Sequence, residues 1–545
     1  MSGLPGANSI EQTSKYLADE PLNALGVDAK VQVKEFLTFF SDLFANKRTQ
    51  NMHINLTPPF LRFFDPHPIL NGHTIKFAAS TSNTHYANCE YSQVVQDQLR
   101  TGDPQRRQEL VNEALSIASE DVLIINLISS PSQSAVRTDQ IEPHVDAGQI
   151  GWNDRNVAFM MNVEATQGDD VILGTTTPGN IDAVEWWQSV YSIGWTQTVF
   201  SGLTYYGPQL DIQPHLATDW TINDEATRFE FSLREDATFH DGEPITSEDV
   251  KWTYEWLQAN NAQIPDVNSW PYDTIETPDD HTVVVNMSSP NAAWFNAHVP
   301  MWGIFPKHQM VPAGAEETPL NVDIGNDEII GSGPYQVRNF APEEILDMRP
   351  YEGHWNTPPS NMVMRAFQDA NSARRAFREG SINVYINITE QFYRQIQNEL
   401  SDVAKTTTQP SITDWHVAPQ HDFGPSKFRA FRMAVSQAID RQFINQTFTN
   451  GLAEIGTNSS LLGDGHPWYP DNPDEVLTSI APSKTGSVDA AKQTLREAGW
   501  GWDDQGRLHY PPDANLKPLW PKGKGPSDFP DRFPCVDELI PQSGG

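Results

Sequence analysis

The sequence predicts an α/β protein of two or three domains. Its 545 residues exceed what one core organises. Residues 229–257 read as a strand, a turn and a helix in succession. The apolar run VLII at 122–125 ends at Asn126, and no run approaches the ~20 residues that cross a membrane. In the strand, Phe229, Phe231 and Leu233 alternate with Glu230, Ser232 and Arg234, the period-two pattern of a half-buried strand. Asp241-Gly242 supplies turn chemistry. Thr246 and Asp249 stand at capping-box spacing, and Val250, Tyr254 and Leu257 recur along one helical face.

Upstream, residues 10–25 are broadly helical, with Pro21 as a kink and Gly26 as a stop. Residues 27–34 alternate as a strand with Ala29, Val31 and Val33 on one face, and Phe36, Phe40 and Leu43 or Phe44 then repeat at helical spacing. Asp103 is a suitable N-cap and Pro104 a suitable first residue for a helix burying Leu110, Ala114, Ile117 and Ala118. Residues 138–170 contain a turn-rich segment, followed by 157–163 and Gly168-Asp169-Asp170.

Lys and Arg number 36 against 71 Asp and Glu, a net charge of −35. That sign argues against nucleic acid, because phosphate binding rests on cationic contacts. The acid is spread along the chain, which reads as halophilic. In molar salt the Debye length falls to ~3 Å, so self-repulsion is screened while hydrated carboxylates keep the surface soluble. An ordinary acidic secreted protein is the alternative. Cys89 and Cys535, far apart in sequence, exclude a Cys-based zinc cluster or a disulfide framework, and a single bridge between them is the less favoured outcome. The opening MSGLPGANSIEQ shows neither a basic-then-apolar export segment nor a lipid-anchor cysteine.

Several motifs lie in order along the chain. They are FSLR at 231–234, FHDG at 239–242 with Pro244, Ser247 and Asp249-Val250, GSGPY at 331–335, YEGHW at 351–355, and FRAFRMAVSQAIDR at 428–441. Together they resemble the family 5 extracellular solute-binding proteins, the oligopeptide, dipeptide and nickel receptors of ABC importers. The resemblance implies a two-lobed architecture of the periplasmic-binding-protein type 2 with an extra subdomain. It also implies a monomer outside the cytoplasm that is no enzyme, carries no cofactor, and hands a small-molecule or peptide ligand to ABC transporter permease subunits by hinge closure.

The order of the segments departs from the family. Residues 22–31 and 86–127 resemble segments that come late in it, whereas 171–182 resembles its opening strand and turn. This implies a circular permutation, with the original termini joined across 138–170. The expected domains are 1–137 as the C-terminal part of lobe II, 138–205 and 307–390 as lobe I, 206–306 as the extra subdomain, and 391–545 as the first part of lobe II. A tail fragment fused to a truncated neighbour, without transport function, is the competing account.

By position in the family, the ligand candidates are Thr176 and Thr177 after the opening strand, Ser332 in the hinge strand, Trp415, and Phe36 as an aromatic wall. Peptide receptors pair an Asp with the peptide ammonium; here the matching stretch is LRFFDP at 61–66, placing Arg62 at that position and Asp65 later. Arginine would repel an amine and hold a carboxylate or phosphate instead. A secreted hydrolase using paired carboxylates remains a further alternative, although no motif singles out a pair. No metal is expected: the histidines are scattered, and nickel is disfavoured.

Overall fold

The computed structural model describes residues 8–32, 52–56, 64–129 except 81 and 83, 131–176, 181, 193–260, 272–317, 322, 324–325, 328–412 and 414–540. Within these, two compact units form. The first draws on the chain up to Gln98, on Asp103–Pro131 and on the chain from Pro410; the second on Leu99–Gly102 and Ser132–Gln409. The crossings therefore fall at 131/132 and 409/410, where the sequence suggests 137/138 and 390/391. Strand pairing explains the difference: Ser132–Arg137 runs antiparallel to Ala404–Gln409, so both strands belong to one sheet of the second unit.

The first unit is organised by four antiparallel strands in the order Met52–Leu56, Trp415–Pro419, Ile125–Ser129, Glu454–Ile455. Strands from the front and the back of the chain alternate across this sheet. Ile125–Ser129 is buried along its whole length. Ile125, Leu127 and Ile128 share one core with Val417, Phe431, Leu495 and Trp500, each such side chain contributing ~1.5–3 kcal/mol by leaving water. A second core joins the helices Cys89–Asp97 and Pro104–Glu120 through Tyr91, Val94, Val95, Val111 and Leu115, together with Leu461 and Leu462. Asp103 caps the second helix by accepting the Gln105 and Arg106 N–H groups, and Pro104 opens it.

At the front, helix Asn8–Leu17 widens into a π-turn over Ala18–Leu22 that contains Pro21. Proline lacks the N–H that a regular turn requires, so a kink becomes a wider turn. Gly26 ends the segment at φ +82°, and a Cβ there would lie 2.2 Å from the Gly506 carbonyl. Leu508 donates its N–H to the Gly26 carbonyl at 2.9 Å, and the Trp502 indole donates to the Leu25 carbonyl at 2.8 Å. Residues 27–32 form no strand. Val27 is instead tied back to the Leu22 carbonyl at 2.9 Å, which removes a group that strand pairing would need. Phe36 and the apolar positions after it lie outside the described residues.

The cysteines are bonded, against expectation: Cys89 and Cys535 form a disulfide across 446 positions. They meet in an apolar cluster with Ile75, Ala78, Trp520, Phe533 and Val536. No local pattern marks a contact over such a separation.

The second unit holds a mixed seven-stranded sheet. Its order is Tyr335–Ala341, Ile345–Pro350, Asn361–Ala366, Asp170–Thr175, Val384–Tyr385, Ser132–Arg137, Ala404–Gln409. Asp170–Thr175 is parallel to both of its neighbours, and the remaining pairs are antiparallel. A separate antiparallel sheet, Tyr272–Asp279, Thr282–Met287, Arg228–Leu233 and Ala217–Ile222, packs against helix Ser247–Ala259. Phe229, Phe231 and Leu233 face inward as their alternation predicts, and Thr246 with Asp249 completes the capping box. Trp294 fills the space between, meeting Phe229 and Tyr254 edge-on at 4.9 and 6.0 Å.

Two arginines of the 428–441 motif bind the front of the chain to the back. Arg432 is 4% exposed and donates to the carbonyls of Asp121 and Val122 on one side and Ser426 and Lys427 on the other. Arg441, fully buried, donates to the Asn126 carbonyl at 2.8 Å and to both Ser436 oxygens. Burial pulls both guanidinium pKa values down to about 10, so both stay charged at neutral pH. Arg432→Leu strands four carbonyls in the interior. We expect it to destabilise the protein by ~3 kcal/mol or more, read as a lower urea midpoint with an unchanged slope; a loss below ~0.5 kcal/mol would show that these bonds do not tie the segments together.

Candidate functional site

In the second unit the motif residues converge into a packed knot. The Arg234 guanidinium lies 4.1 Å from the Trp355 ring, which stacks with His354 at 3.7 Å and meets His215 at 5.2 Å. His240 accepts the Gly331 N–H at Nδ1, 2.9 Å away, and its Nε2 faces the Gly333 carbonyl at 2.9 Å. Those partners fix a neutral ring protonated at Nε2. The Tyr351 hydroxyl donates to the Phe239 carbonyl at 2.8 Å. Burial lowers His240 and His354 to about 4 and His215 well below its ordinary value. These motif residues hold the unit together by packing.

Of the candidate ligand residues that are described, Asp65 and Trp415 belong to the first unit and Thr176 and Ser332 to the second. Ser332 is fully buried and donates to the Ile304 carbonyl at 2.8 Å, a packing role. Thr176 follows strand Asp170–Thr175 and hydrogen-bonds Tyr385. Asp65 is sealed inside the first unit: Arg107 forks onto its two oxygens at 2.7 and 2.8 Å, and the His67 N–H adds a third bond at 2.8 Å. With side-chain exposures of 3% and 0%, that pair presents nothing to a solute. Trp415 is half-buried against the first unit's core. Phe36, Arg62 and Thr177 lie outside the described residues.

Beside Trp415 stands a polar cluster that the sequence does not announce. Asp414 Oδ2 accepts the Asn126 amide at 2.7 Å, while its Oδ1 is withdrawn from solvent without a hydrogen-bond partner. The same Asn126 amide bonds the Ser460 backbone in both directions at 2.9 Å. Ser129 Oγ donates to Asp464 at 3.4 Å. Burial, reinforced by the Asp464 charge, raises Asp414 to about 7; burial and Glu454 raise Asp464 as well. Among the described residues neither carboxyl has an ion pair. Near neutral pH Asp414 is therefore partly protonated, and in that form the carboxyl is a hydrogen-bond donor as well as an acceptor. Its parts lie 288 and 335 positions apart in the chain, so only the fold assembles them.

The family model described as "Bacterial extracellular solute-binding proteins, family 5 Middle" matches residues 211–525, and the chain belongs to that family. The periplasmic murein peptide-binding protein MppA of Escherichia coli (strain K12) is 25% identical over 331 residues, 56% of this chain and 58% of the relative. The oligopeptide-binding protein AppA of Bacillus subtilis (strain 168) is 23% identical over 347 residues, covering 61% and 60%. The chain thus spans less than two thirds of either relative. Among solved structures, NikZ from Campylobacter jejuni in complex with Ni(L-His) aligns with a TM-score of 0.44 at 18% identity, covering 64% of this chain and 66% of that one.

The buried acids and histidines give pH effects of opposite sign. For His240 and His354 the unfolded chain binds more protons between about 4 and 6.5, so their contribution is lost as pH falls through that window. For Asp414 the folded chain binds the extra proton between 3.8 and about 7, so its contribution is lost as pH rises to about 7. We expect Asp414→Asn to be more stable than the parent at pH 8–9, by up to about 4 kcal/mol, with that gain shrinking towards pH 4. Urea unfolding at the two extremes reads this difference. An identical gain at both would assign the effect to packing.

Proposed function

We propose that this chain is an extracytoplasmic receptor delivering a peptide-like or other small solute to an ABC transporter permease by hinge closure of two lobes. The observation that carries the reading is the family match across 211–525. The names of the relatives, a murein peptide-binding and an oligopeptide-binding protein, support a peptide-like solute. Arg62, by its place in the sequence, favours a solute with a carboxylate or phosphate over a plain amine.

We further propose that the segment order is a circular permutation of one receptor. The alternation of front and back strands in a single sheet supports this over a fusion of unrelated fragments. Surface termini that lie close together make such a rearrangement physically permissible. The net charge of −35 supports work in high salt.

A thermal-shift screen of short peptides and small anions in molar salt tests the reading. A bound solute at ~100 times its Kd adds about 2.7 kcal/mol of stability and is expected to be recovered unchanged. Recovery of cleaved products would move the assignment to the hydrolase. No shift with any member of a broad library would remove the receptor reading. The same screen run at low salt tests the halophilic proposal, since equal stability in both salts contradicts it.

A further inference from the structure

The disulfide carries an inference that is independent of the solute. Residues 511–540 contribute no residue to either large sheet after the short Leu508–His509 strand, only the 3-10 turn Pro526–Asp528 and the helix Val536–Leu539. Within that stretch only Trp520, Pro526, Phe533 and Val536 are buried, while Leu519, Phe529, Cys535, Leu539 and Ile540 are only partly buried against the same cluster. Few side chains therefore anchor about thirty residues, and the backbone ties to the rest of the unit are sparse. Leu519 donates its N–H to the Asp422 carbonyl at 2.7 Å, and Lys427 Nζ reaches the Asn515 and Lys517 carbonyls at 2.9 and 2.8 Å. A segment with so little core is a low-stability element by its construction. It covers Ile75, Ala78, Ala79 and Ala87, apolar residues from the front of the chain, and the Cys89–Cys535 bond joins the two sides of that cluster.

We propose that the Cys89–Cys535 bridge is a redox-controlled fastener. Oxidised, it holds residues 511–540 over the apolar surface formed by Ile75, Ala78 and Ala87; reduced, it releases that segment while both sheets persist. Bond formation needs a disulfide carrier as oxidant. One cysteine thiolate attacks the carrier disulfide, and the second thiolate then displaces the carrier from the mixed disulfide. Two protons leave the cysteines, two electrons pass to the carrier, and the carrier departs as a dithiol. The fastener closes only in an oxidising compartment, which fits a protein that works outside the cytoplasm. In a reducing one the same chain leaves an apolar surface uncovered.

The test uses the full chain in three forms: oxidised, reduced with dithiothreitol after folding, and the double variant Cys89→Ser/Cys535→Ser. Alkylation with mass readout counts free thiols, and brief trypsin digestion is mapped by mass at Lys522, Lys524 and Arg532. The oxidised protein is expected to show no free thiol. The reduced and variant forms are expected to be cut at those sites roughly tenfold faster or more, with unchanged far-UV circular dichroism. Free thiols in the oxidised protein overturn the proposal. So does a cleavage rate indifferent to reduction, or a loss of secondary structure on reduction with cuts spread through the whole first unit. If the variant fails to fold, the comparison of oxidised with reduced parent protein decides.

Discussion

The placement of strand Ile125–Ser129 between Trp415–Pro419 and Glu454–Ile455 is the constraint on which the first unit depends. The strand is buried along its length and carries backbone pairing on both edges. Its polar member Asn126 uses its side chain to hold Asp414 and Ser460, and its carbonyl to receive Arg441. Removing this strand would leave Glu454–Ile455 without its paired neighbour, Arg441 without one acceptor and the Asp414 carboxyl without its amide. The polar cluster and the sheet are therefore one construction.

Joining the two ends of a chain across Ser132–Gln409 has an entropic cost, but a mild one. Loop closure grows only with the logarithm of length, reaching about 5 kcal/mol for a few hundred residues. The apolar side chains that front and back share in the core, each contributing ~1.5–3 kcal/mol, offset that several times over. Kinetics feels the separation more. Contacts between residues some three hundred positions apart form late, which slows folding and lengthens the exposure of unpaired strand edges. A covalent bond between Cys89 and Cys535 shrinks the unfolded ensemble that must be searched on each later opening.

What the sequence made legible was local. The Phe229–Phe231–Leu233 alternation, the Thr246–Asp249 box and the Asp103–Pro104 helix start all depend on neighbours within a few positions, and each stands where its pattern places it. The motif order pointed to the family, and most of those motif residues prove to be packing elements. Where the structure departs from these readings, a partner decides it. The cysteines pair across 446 positions, the unit crossing at 409/410 follows the pairing of 132–137 with 404–409, and residues 27–32 form no strand, with the Val27 N–H taken by the nearby Leu22 carbonyl. Period-two alternation states that a segment can be a strand; only a free edge beside it decides that it is one. Asp414 and Asp464 were invisible as a pair for the same reason.

The distribution of charge separates two kinds of stability within this molecule. Although acids outnumber bases 71 to 36, the buried cations of the first unit are not all matched to acids. Arg107 takes Asp65, but Arg432 and Arg441 are satisfied by backbone carbonyls, with a serine hydroxyl added for Arg441. Asp414, for its part, has its pKa raised by burial, so that it ionises less readily than an exposed carboxyl. Such interior bonds are short and shielded, so dissolved salt barely changes them. The surplus acid on the surface is different, since repulsion between exposed carboxylates falls as the Debye length contracts from ~10 Å at 0.1 M towards ~3 Å at 1 M. Salt dependence of unfolding thus reports on the surface, and pH dependence between about 4 and 7 on the interior. In a chain this acidic, the interior can stay fixed while the surface is adjusted to its solvent, because the two draw on different charges.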